Sequence, residues 1–205
     1  IEMLQLKQES YLNEARKAFY KVLQLFEDVL GADIDRSLND NDDYLVKIDR
    51  VTPLQSLRLM QHVDQSLDVL IDRMGAGSKW KWSFVDMFGR VAVIKRNIIS
   101  FSDTQKFRDP RSEFYVERQE LVQMCKESLK DAAQQYRTKY EQSTKATGDL
   151  LKSIELLTAL RKIHVIFSET EEATKMKTTI DALRQKIEDE EKQKEKEKEK
   201  LKKKK

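Results

Sequence analysis

Five glycines and two prolines are all that interrupt 205 residues. That scarcity limits the fold more than any motif does. Sheet proteins turn every few residues and spend Gly and Pro at those turns. A chain with so few turn residues, and with 37% of its residues charged, reads instead as long helices with a large solvated surface. The expected class is all-α: an elongated helical bundle with a long C-terminal helix or coiled-coil extension and a disordered Lys/Glu tail.

Apolar spacing supports helices along most of the chain. Leu12, Ala15, Phe19, Val22, Phe26 and Val29 recur at steps of three and four, which places them on one stripe of a first helix ending before Gly31. Thr52, Pro53 and Gln55 spell the start of a second helix, because a threonine N-cap, a proline at the first helical position and a glutamine three residues after the cap form a capping box. Its apolar face runs from Leu54 to Met74, and Gly75 ends it. Ser83 with Asp86 suggests a third start, followed by Phe84, Met87, Val91, Ile94 and Ile98. The alternative over 79–99 is a small β-hairpin turning at Gly89, since the stretch is rich in β-branched residues and Trp80, Trp82 and Phe84 alternate. Asp109 before Pro110 suggests a further helix start, and Gly148 is a place where the helix after it breaks or weakens.

The division expected from these patterns is a bundle over 1–168, a coiled-coil-like extension over 169–188 and a low-complexity tail over 189–205. In the extension Ala173, Met176, Ile180, Leu183 and Ile187 repeat at steps of three and four, as a coiled-coil seam does. The tail carries nine lysines against six glutamates and one aspartate from residue 188 onward and has no apolar face, so it is expected to fray.

Searches for chemistry return little. His62 and His164 fall on different expected helices, and neither has Glu three residues before it, so the di-iron Glu-x-x-His pattern is missing. His164, at helical spacing from Leu157 and Leu160, reads as a histidine in or beside the core. A lone Cys125 gives neither a disulfide nor a thiolate cluster; it sits on an apolar stripe, reads as an inert thiol and fits a reducing, cytoplasmic setting. Asp33, Asp35 and Ser37 begin like a calcium loop, but the sixth position is Leu38 and the twelfth Tyr44. Gly75, Gly77 and Lys79 look like a phosphate loop, yet Ser78 stands where the glycine before the lysine belongs. No cofactor, metal or small-molecule substrate is indicated, and no enzyme is expected. No apolar run reaches the length of a membrane span. The opening Ile1, in place of Met, suggests a fragment or a processed chain.

Two surfaces remain. The first expectation is a non-catalytic helical scaffold that binds a protein partner or itself through the seam Ala173, Met176, Ile180, Leu183 and Ile187. The second is a module for nucleic acid or an anionic membrane built on residues 77–111, where eight basic residues face three acidic ones and aromatics are interleaved. Its candidate residues are Lys79, Trp80, Lys81, Trp82, Lys95 and Arg96, since cations neutralise phosphates and exposed aromatic rings stack on bases or enter a lipid interface.

Overall fold

A computed structural model describes residues 2–34, 46–75, 77, 79–99 and 104–202, with side-chain surroundings given from Glu9 to Glu197. The described residues form six α-helices: α1 (Glu2–Leu30), α2 (Pro53–Met74), α3 (Lys81–Asn97), α4 (Tyr115–Lys139), α5 (Thr147–Ile166) and α6 (Thr170–Lys202). Short 3-10 turns occupy Val46–Ile48 and Thr104–Phe107, and a π turn spans Tyr140–Thr144. No strand occurs among the described residues, so the all-α class stands and residues 81–97 are a helix rather than a hairpin. The chain divides into two compact units, Ile1–Ala132 and Ala133–Lys205, and α4 runs through the division. The boundaries expected at 168 and 188 both fall within the second unit.

In the first unit α1, α2 and α3 pack against one another pairwise. The start of α2 is as the sequence spells it. Gln55 N–H donates to Thr52 Oγ1 at 3.3 Å, and Thr52 N–H donates back to Gln55 Oε1 at 2.8 Å. Gly75 closes the helix at φ +83°, where a side chain would be strained.

Helix α3 is enclosed on nearly all sides, with Phe84, Val85, Met87, Val91, Ala92 and Ile94 buried. Burial on nearly all sides outweighs the modest helix preference of its β-branched residues. Its start differs from expectation. Ser83 is not the cap: the helix begins at Lys81, and the Trp80 carbonyl accepts from Ser83 N–H at 2.8 Å. Partners on α1 and α3 advance together, Tyr20 with Ser83, Glu27 with Arg90 and Gly31 with Asn97, so the two helices run parallel.

Asp109 and Pro110 do not open α4. Asp109 Oδ1 accepts from Arg111 N–H at 2.9 Å in a turn, and the helix begins at Tyr115 after Phe114, which has φ +56°. Val46 is 71% exposed. Most of the acid-rich connection, 35–45, including Tyr44, Leu45 and the calcium-loop comparison, lies outside the described residues.

In the second unit α5 and α6 form a helical hairpin. At its corner Ser168 takes φ +60°, and Glu169 N–H donates to the His164 carbonyl at 2.9 Å, which satisfies the end of α5. The far end is tied by the Tyr140 hydroxyl, which donates to Glu190, and by Lys186, whose ammonium lies 4.7 Å from the Tyr140 ring centre. The break between α4 and α5 comes before Gly148. Lys145 in the left-handed region, φ +48°, terminates the π turn, while Gly148 sits in the first turn of α5 with nothing within 4 Å of where a Cβ would be. Past Glu190 the chain stays helical to Lys202. A Lys/Glu sequence has good helix propensity, and extending a helix already nucleated avoids the cost of starting one.

Candidate interaction surfaces

Helix α3 and the turn before it hold the basic aromatic residues, and their surroundings separate them into two groups. Lys79 is ion-paired with Glu9 and lies 5.3 Å from the Trp80 ring centre. Arg16 of α1 covers the same ring at 4.2 Å. Lys81 lies over Trp82 at 4.7 Å, and both tryptophans are half-buried. These four residues form an amphipathic corner where cations cover aromatic faces.

Lys95 and Arg96 are not part of it. They are 2% and 1% exposed. Lys95 Nζ donates to Asp64 Oδ2 and to Ser128 Oγ, each at 2.6 Å. Arg96 Nη1 donates to Asn97 Oδ1 at 2.8 Å, and Asn97 Nδ2 donates to the Gly31 carbonyl at 2.7 Å, which satisfies the end of α1. Arg90 makes a two-pronged contact with Glu27, both bonds 2.6 Å. The charge that the sequence concentrates here is thus partly spent on fastening helices together.

The C-terminal seam is also occupied. Ala173, Ile180, Leu183 and Ile187 are buried by this chain alone, on a helix whose main packing partner is α5. Met176 is half-buried. Beside the corner of the hairpin a groove of about 370 Å3 is lined by Arg161, Val165, Thr170, Ala173 and Lys177, among others. Two cations near the first turn of α6 suit a small anion, but Glu171 and Glu172 in the same turn oppose it.

Cys125 is fully buried, and burial pushes its thiol up to about 12. His164 is buried, and its Nδ1 lies 2.5 Å from Glu169 Oε2. Among the described residues no group of three or more His, Cys, Asp or Glu is placed to hold a metal, and no helix is long and apolar enough to cross a membrane.

One surface was not anticipated. On α1 the buried positions are Phe19, Leu23 and Leu30, flanked by half-buried Leu12 and Phe26. Ala15 and Val22, expected on the inward stripe, are exposed. They belong to a second stripe: Tyr11 (74% exposed), Ala15, Ala18, Val22 (41%) and Leu25 (65%). The signal was present in the sequence as a second set of three- and four-residue steps, one position away from the first.

The TP0443 family matches residues 1–191 of the chain. No curated protein and no solved structure matches it.

Proposed function

The chain belongs to the TP0443 family, and we propose that it is a non-catalytic helical scaffold that engages a protein partner through an amphipathic helix face. The observation that carries this reading is the exposed stripe on α1. Scattered exposed apolar residues are ordinary on any protein surface. Five in sequence at steps of four, three, four and three make a continuous strip, and contiguous apolar surface marks interaction sites. The seam on α6 contributes differently in this reading: it holds the α5/α6 hairpin together within the chain, and the solvated helix beyond Glu190 is an extension. A cytoplasmic setting suits the buried free thiol.

The polyanion alternative loses Lys95 and Arg96, which are enclosed, and keeps the surface corner of Lys79, Trp80, Lys81 and Trp82.

A photo-crosslinking residue placed at Leu25, with one at Gln65 on exposed α2 surface as control, tests the proposal in cells. Protein adducts are expected at position 25 and not at 65. Equal labelling at the two positions, or none at 25, would overturn it.

A further inference from the structure

The stripe on α1 has a register, and the register points to what covers it. Tyr11, Ala15, Ala18, Val22 and Leu25 continue to half-buried Val29, giving steps of four, three, four, three and four. A mean repeat of 3.5 residues keeps a seam aligned with a second helix, whereas a stripe that merely faces solvent has no need of it. One flank of this seam is closed, because Leu12, Phe19 and Phe26 turn into the chain's own core. The open flank carries Glu14 and Lys21, both exposed.

Resting on the scaffold reading above, we propose that the occupant is a second copy of this chain, docked antiparallel through α1 about a twofold axis between Ala15 and Ala18. Three features fit this arrangement. A twofold contact must be self-complementary. With Ala15 set against Ala18 of the second copy, Tyr11 meets Val22 of the second copy, and the same two contacts recur on the other side of the axis. The small residues lie at the centre, where helix axes approach most closely, at about 8 Å. The larger ones lie outward.

The charges agree with that register. In an antiparallel pair, Glu14 falls opposite Lys21 of the second copy, and Lys21 opposite Glu14, so both flanking contacts are attractive. A parallel pair would place Glu14 and Lys21 beside the partner's Leu12, Phe19 and Phe26 positions, which carry no charge and face inward. The present partner of Glu14 is Lys17, 2.8 Å away on the same exposed helix surface. Such surface pairs hold weakly, so exchanging it costs little.

The stretch in which each seam residue meets a seam residue of the second copy, Tyr11 to Val22, is about 17 Å long, at about 1.5 Å per residue. It is at the small end of specific interfaces, so the dimer is expected to depend on concentration. Light scattering of the full chain should therefore show a mass rising from 24.2 kDa toward twice that value as concentration increases. Val22→Glu with Leu25→Glu should hold it at the mass of one chain, with an unchanged circular dichroism spectrum. Glu14→Lys alone and Lys21→Glu alone should each weaken association at least several-fold, and the two together should restore it. Ala15→Cys mixed with Ala18→Cys should give a mixed disulfide, while Tyr11→Cys alone should not pair with itself; buried Cys125 stays out of the exchange.

A single-chain mass at every concentration overturns the self-docking proposal. If adducts at position 25 then join a different protein, the scaffold reading survives alone. Efficient pairing of Tyr11→Cys with itself, or no rescue by the double charge exchange, overturns the antiparallel register.

Discussion

Lys95 places an ammonium group 2.6 Å from both Asp64 Oδ2 and Ser128 Oγ while almost none of it meets water. A charge in that position is tolerated because its partners replace hydration, and removing one side of such a pair costs more than the pair contributes. Lys95→Ala is expected to lower unfolding free energy by about 3 kcal/mol, toward the low end for buried pairs because Asp64 is partly exposed and can rehydrate. Lys95→Met keeps the stem volume and should cost less; urea unfolding midpoints compare them. Cys125 and Tyr140 make a second residue-scale prediction. Burial raises both to about 12, helped at Tyr140 by its hydrogen bond to Glu190, from ordinary values of 9.0 and 10.0. The unfolded chain therefore loses these protons first as pH rises. Their contribution is intact below about pH 9 and is lost between there and about 12. Thermal melts should fall over the alkaline range, and Cys125 should resist alkylation near pH 8 until denaturant is added.

At the scale of elements, α1 shows why a periodic stripe is hard to orient. Its apolar residues cover a broad arc, wide enough to contain two seams one position apart. The expected set of Leu12, Ala15, Phe19, Val22, Phe26 and Val29 takes members from both. In the folded chain Phe19, Leu23 and Leu30 face inward, and Ala15 and Val22 do not. Of the stripe expected on α6, Ala173, Ile180, Leu183 and Ile187 are buried and Met176 is half-buried, but the sequence did not say that this chain itself would cover them. Leu183→Ala should accordingly destabilise the hairpin by about 2–5 kcal/mol, the usual range for a core leucine, as seen by denaturant unfolding. A change confined to association would contradict that. Gly148→Ala should go the other way, stabilising by about 0.4–1 kcal/mol, because a methyl group meets nothing there and glycine adds disorder to the unfolded chain.

For the whole molecule, the division at Ala132 and Ala133 separates two sets of contacts joined by the continuous α4. The expectation is that they open separately. In Leu183→Ala, amide hydrogen exchange should quicken across α5 and α6 while α1, α2 and α3 keep their protection, which mass spectrometry of peptides can resolve. Uniform acceleration along the chain would show a single cooperative unit instead.

What the sequence by itself determined is local. Few glycines and prolines, a capping box at Thr52 and Gln55, a glycine stop at Gly75 and three- and four-residue spacing act within a turn or two of the chain, and the helices they specify are present. The start at Lys81, which has no side-chain cap, left no comparable mark. The tertiary structure alone decided which edge of a broad apolar arc faces inward, that Lys95 is enclosed against Asp64 and Ser128 and Arg96 beside Asn97, and that α5 covers the α6 seam. Each of these depends on residues distant in sequence. Hydrophobic burial is non-directional, so an apolar stripe records the need for cover without recording its source. On α1 that need is met for one stripe by the chain's own core, and the second stripe remains exposed.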